Sequence, residues 1–133
     1  MKMLMRVAAL SLSLLVGNHA FAADAVQLVD VKPETVLERS AKKDSKLVIL
    51  DVRTPEEFAQ GHVPGAINIS HDKLQDRIGE LMGEKDKDIV LYCRSGRRTG
   101  LAAETLRANG FQKLFHMEGD MQQWTEAKRP TEK

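Results

Sequence analysis

At 133 residues, 42% of them hydrophobic and 29% charged, the chain has material for one domain with one modest core. Its 20 Lys and Arg nearly balance 19 Asp and Glu, and no long basic tract or aromatic-basic interleaving occurs, which excludes the electrostatic signature of a nucleic-acid binder. A single cysteine excludes both an internal disulfide and a multi-cysteine zinc cluster.

The first 22 residues read as a secretory signal peptide. Lys2 and Arg6 precede the apolar run Val7–Val16, and Ala20-Phe21-Ala22 supplies a small-x-small cleavage site. The run is well short of the ~20 apolar residues of a spanning helix, so stable membrane insertion is not expected and the mature protein is exported, for instance to a periplasm. Cleavage takes Lys2 and Arg6 from the 20 basic residues and leaves 18 against 19 acidic ones, a net charge of −1.

Val26–Val31 predicts a short first strand, and Pro33 opens a helix through about Lys43 with Val36 and Leu37 as its apolar face. Residues 23–46 are set apart as an N-terminal segment without an assigned role, ahead of a domain at 47–128. Leu47-Val48-Ile49-Leu50 is the continuous apolar run of a strand covered on both faces, and it ends in Asp51-Val52-Arg53. Thr54-Pro55-Glu56-Glu57 starts a short helix with an N-cap, a first-turn proline and an acidic first turn. Gly61–Gly65 punctuates, and Ala66–Ile69 gives another short strand. Asp72 caps a helix to about Met82, with Leu74, Ile78, Leu81 and Met82 at helical spacing. Ile89–Tyr92 is the next strand. After a loop at Cys93–Arg98, a helix runs from Thr99 to Asn109, where Asn109-Gly110 stops it. Phe111 and Leu114-Phe115 form a last strand near His116, Gly119–Lys128 a final helix carrying Trp124, and residues 129–133 a polar, frayed tail. Strands alternating with short helices give an α/β fold with a small, mainly parallel sheet. In such sheets ligands gather at the carboxyl ends of strands, where both Asp51 and Cys93 fall.

Chemistry concentrates in Cys93-Arg94-Ser95-Gly96-Arg97-Arg98-Thr99. The partial positive charge of a helix start and the formal charge of Arg94, Arg97 and Arg98 both make a neighbouring sulfur nucleophilic. The same amides cradle an anion. Ser95 and Gly96 allow the loop to turn tightly and point its N–H groups inward, and Arg98, where loop meets helix, is the first choice among the arginines for holding an oxyanion. Asp51 and Arg53 are expected to fix geometry at a strand end. Glu57 and His62 are expected to hold the local turn by hydrogen bonds rather than to transfer protons. Trp124, Phe111 and Phe115 read as core or pocket wall. His19, His71 and His116 lack metal-ligand spacing, so no metal and no other cofactor is expected.

Asp51-Val-Arg-Thr-Pro-Glu-Glu-Phe-Ala-Gln-Gly-His-Val-Pro-Gly-Ala-Ile-Asn-Ile69 resembles the first signature of rhodanese domains, Cys93–Thr99 resembles their active-site loop, and Glu118–Trp124 their closing segment. The resemblance covers roughly Leu47–Ala127. It implies a single domain with a five-stranded parallel sheet flanked by helices, and sulfane-sulfur transfer through a Cys93 persulfide, as in small exported thiosulfate sulfurtransferases. The partners it implies are thiosulfate and a small acceptor, cyanide or a thiol, with a monomer expected. One departure is Gly119-Asp120, where the family often has paired glycines.

A second reading makes the chain a persulfide carrier that accepts sulfur from, or hands it to, another protein. A third, phosphatase or arsenate-reductase chemistry, also uses a thiolate in an anion-cradling loop. The tyrosine-phosphatase pattern, however, needs five residues between cysteine and arginine, and that position is Thr99.

Overall fold

A computed structural model describes residues 28–133. The expected signal peptide lies outside the described residues. The elements run β1 (Val29–Val31), α1 (Pro33–Ala41), β2 (Leu47–Asp51), α2 (Pro55–Gln60), β3 (Ile67–Asn68), β4 (Asp88–Tyr92), α3 (Arg97–Ala108), β5 (Leu114–Met117) and α4 (Asp120–Glu126). Among the described residues no helix is long and apolar enough to cross a membrane.

The five strands form one sheet in the order β1-β5-β4-β2-β3, every neighbouring pair parallel. Apolar runs such as Leu47–Leu50 and Ile89–Tyr92 suit this arrangement because helices cover both faces. With a side-chain period of two, Leu50, Leu91 and Cys93 point to one face, where they pack with Ala102, Ala103 and Leu106 of α3. Ile49, Val90 and Tyr92 point to the other, against Val36 of α1 and Met121 and Trp124 of α4.

The topology also makes a crevice. From β2 the chain moves outward to β3, and from β4 it moves the opposite way to β5, so the segments leaving these two adjacent strands diverge. Ligand sites in open α/β sheets form at this kind of switch point. Asp51 pairs in register with Tyr92, which brings Arg53 and Cys93 to the same end of the sheet.

Three expectations are corrected. The segment 23–46 is not separate from residue 29 onward, because β1 pairs with β5 (Val29 with Phe115, Val31 with Met117) and α1 buries Val36 in the core. The helix expected over Asp72–Met82 is instead a run of tight turns with two 3-10 pieces, Ile78–Glu80 and Met82–Glu84. Its bonds are mostly of the i→i−3 kind, as from Leu81 N–H to Ile78 O and from Glu84 N–H to Leu81 O. Gly79 and Gly83 weaken an α-helix here, and Asp72 accepts the Ser70 hydroxyl. Ile78 and Leu81, three apart, still fall on one side of a 3-10 turn, so the apolar spacing fits either helix. Finally, the tail is pinned. His62 and Glu132 exchange both backbone hydrogen bonds at 2.9 Å, Trp124 Nε1 donates to Pro130 O at 2.8 Å, and Arg129 pairs with Glu34 at 2.6 Å.

Candidate active site

Cys93 directly follows β4 and begins the loop that ends at the first turn of α3. The residue is 1% exposed, and its Sγ accepts the Gly96 N–H at 2.9 Å. Gly96 caps α3 at φ 108°, a conformation that glycine adopts without strain. A Cβ there would also come within 3.3 Å of Asp120 Oδ2. The expected inward-facing amides are thus realised at the sulfur by one donor. The N–H of Cys93 itself turns to Asp120 Oδ1 at 3.0 Å.

The three loop arginines part company. Arg98 is held by Glu57 of α2 through two parallel bonds, 2.5 Å from Nη1 to Oε1 and 3.0 Å from Nη2 to Oε2. Both its amino groups are therefore engaged, and its charge reaches the sulfur from a fixed position. Arg94 and Arg97 are exposed, and among the described residues neither forms a side-chain ion pair. Arg94 lines a cleft of about 650 Å³ between α2 and α4, together with Arg53, Glu57, Gln60, Met121 and Thr125. Cys93 itself does not line this cleft; the loop reaches it through Arg94. Ser95 is exposed at the loop, whereas the Thr99 hydroxyl is buried without a hydrogen-bond partner among the described residues.

Glu57 is placed by its own helix start. Thr54 accepts the Glu57 N–H while the Glu57 carboxylate faces the Thr54 N–H, a reciprocal cap. The Arg98 guanidinium, above all other neighbours, holds the Glu57 carboxyl at about 2, below its ordinary 4.5. A carboxyl depressed on folding adds stability that is fully present above its unfolded value and lost as pH falls through the folded one. Glu57→Gln should therefore cost about 1–2 kcal/mol at pH 7, allowing for partial exposure, in urea denaturation. The gap between variant and wild type should narrow below about pH 4.5 and close near pH 2. A gap independent of pH would show that the ion pair does not supply it.

Asp51 and Arg53 bind one another, and not the loop. Arg53 Nη2 meets Asp51 Oδ2 at 2.6 Å, Arg53 N–H donates to Asp51 Oδ1 at 2.9 Å, and Nη2 also donates to Gly61 O at 2.8 Å. Asn68 Nδ2 ties down the carbonyls of both residues. The guanidinium lies 5.6 Å from the Tyr92 ring centroid. Burial, with Asp51 nearby, pushes the Tyr92 phenol up, so it stays neutral and accepts the Val63 N–H. His62 stacks on Phe58 at 3.6 Å and its Nδ1 contacts Phe58 O, which fastens the end of α2 and the tail. Arg53, Glu57 and Arg94 thus share one cleft, Arg98 is tied to it through Glu57, Cys93 lies buried at the base of the loop beside it, and Asp51 and His62 serve as supports.

Sequence reasoning missed a further group beneath the loop. His116 of β5 places Nε2 at 2.8 Å from Asp120 Oδ2 and Nδ1 at 2.9 Å from Asp30 Oδ1. The one signal for it was the Gly119-Asp120 departure.

Against known proteins, the family profile described as "Rhodanese-like domain" matches residues 32–127. The putative sulfur carrier protein YrkF of Bacillus subtilis is 38% identical over 96 residues, 70% of this chain and 51% of that protein, so the chain spans about half the length of this relative. A sulfurtransferase of Allochromatium vinosum is 33% identical over 95 residues, 71% of this chain and 86% of that protein. In structure, the rhodanese-like domain of the Anabaena sp. Alr3790 protein superposes with a TM-score of 0.68 at 27% identity, covering 80% of each chain.

Proposed function

Because the chain belongs to the rhodanese-like domain family, we propose that it is a sulfurtransferase that takes the outer sulfur of thiosulfate onto Cys93 and passes it to cyanide or a thiol. The observation that carries this reading is the Gly96 N–H aimed at Cys93 Sγ within an arginine-bearing loop. The Cys93 thiolate attacks the outer sulfur, an S–S bond forms, the sulfur–sulfur bond of thiosulfate breaks, and sulfite leaves with the electron pair. The terminal sulfur of the resulting persulfide carries the negative charge, which the loop amide and the fixed charge of Arg98 stabilise. Attack by cyanide or a thiolate on that sulfur returns the Cys93 thiolate, a double displacement. Arg94, exposed on the cleft, draws in the dianion, and Arg97 adds to the local field. The same proposal makes the working protein an exported monomer, on the strength of residues 1–22 for export.

A carrier role is the second reading. The cleft beside Arg94 offers far more room than a thiosulfate ion fills, which suits the protruding thiol of a larger donor or acceptor.

Incubation with thiosulfate tests the proposal. The intact protein should gain the mass of one sulfur, with one sulfite released per chain, and steady-state kinetics with cyanide should be ping-pong. A mass gain without sulfite would mean ordinary oxidation of the thiol and would overturn the transfer step. Slow turnover on thiosulfate alongside fast exchange with a protein persulfide would favour the carrier.

A further inference from the structure

We propose that Asp120 is the positioning residue of the Cys93 loop, its carboxylate fixed by an imidazolium at His116 that Asp30 backs from the edge strand. The inference deepens the sulfur-transfer reading and rests on it for its kinetic part. Asp120 bridges two elements: Oδ1 accepts the Cys93 N–H at 3.0 Å, and Oδ2 lies 2.8 Å from His116 Nε2. Asp120 is also 3% exposed, so its charge is held away from water. With a carboxylate against each ring nitrogen, His116 donates from both, which is the protonated form, and no lone pair is left for another partner.

Backbone geometry points the same way. Asp120 has φ 52°, directly after Gly119 at 81°, in a region that side chains other than glycine occupy at a cost. Glycine would relieve that cost, yet it would strip the loop of the acceptor for its first N–H. The carboxylate also lies 3.3 Å from where a Cβ on Gly96 would be, and His116 Nε2 3.8 Å from it, so the wall behind the sulfur's own hydrogen-bond donor is this network.

The titratable groups facing His116 are Asp120 from the start of α4 and Asp30 from β1; β4 presents the apolar Leu91 at the paired position, and the Cys93 loop presents Gly96. Asp120 foremost, with Asp30, holds the His116 imidazole up at about 9 against its ordinary 6.5. A group raised on folding contributes below its unfolded value and ceases to as pH rises through the folded one. The clamp is therefore complete at neutrality and slackens through about pH 9.

Four proteins test this: wild type, Asp120→Gly, Asp120→Asn and His116→Gln. Histidine NMR should show His116 titrating near 9 in wild type and at least one unit lower in Asp120→Asn, and exchange of the Cys93 amide should quicken in Asp120→Gly and slow again in Asp120→Asn. These readouts need no turnover, so they stand even if thiosulfate proves not to be the donor. In persulfide formation from thiosulfate, Asp120→Gly should lower kcat about tenfold with little change in KM, Asp120→Asn should recover most of that loss, and the alkaline fall in rate near pH 9 should vanish in His116→Gln. Asp120→Gly with wild-type amide exchange and kcat would overturn the proposal, as would His116 titrating near 6.5 in the wild type. If wild type forms no persulfide while the NMR and exchange results hold, the sulfur-transfer reading fails and the positioning role stands.

Discussion

Cys93→Ser is expected to abolish persulfide formation, with no sulfur mass gain and sulfite release reduced at least about 10³-fold, to the background of the assay. A serine hydroxyl is not ionised near neutrality, and its oxygen is a poor nucleophile toward sulfur, so neither the Gly96 amide nor the charge of Arg98 has a developing persulfide to stabilise. The fold should survive. A buried hydroxyl costs free energy when it lacks a partner, but here the Gly96 N–H already points at the side-chain atom and can donate to oxygen as it does to sulfur. Circular dichroism and thermal melting of the variant, run beside the mass assay, separate lost chemistry from lost structure. Turnover at the wild-type rate in a folded Cys93→Ser protein would remove Cys93 from the reaction.

The largest stability effect is expected from Arg53→Met. Asp51 is fully buried and Arg53 6% exposed, and the guanidinium supplies the carboxylate's only cation among the described residues. Removing the cation leaves a buried charge with one backbone donor, the residue 53 N–H, which predicts a loss of about 3–5 kcal/mol. Against a typical total of about 5–15 kcal/mol, that is a large fraction, and the melting temperature should fall by more than about 10 °C. The double variant Asp51→Asn with Arg53→Met should regain part of the loss, because the stranded charge is gone. A single variant within about 1 kcal/mol of wild type in urea titration would mean that water, and not Arg53, compensates Asp51.

What could be read in the chain was what neighbouring residues decide. The apolar runs at Leu47–Leu50 and Ile89–Tyr92, the Thr54-Pro55 helix start and the Asn109-Gly110 stop all fell close to the observed element boundaries. The make-up of the Cys93 loop was legible too, because its sulfur, glycine and arginines lie within residues 93–98, and the Gly96 N–H is found at the sulfur. Pairings across the chain were not legible. Arg98 meets Glu57 over 41 residues and His116 meets Asp30 over 86, and no local pattern announces either. The polar tail read as frayed because its side chains are polar, whereas what holds it is backbone pairing with His62. The turns at 72–84 were misread because apolar residues three and four apart serve an α-helix and a 3-10 turn alike.

The pairing of β1 with β5 has a consequence for biosynthesis. Val29 is made 86 residues before Phe115, its partner in register (115 − 29), so the sheet's first strand waits unpaired until β5 has followed it. Asp120 emerges later still, so the acceptor of the Cys93 N–H follows the cysteine by 27 residues. The loop takes its final geometry only after the segment that carries Asp120 has been made.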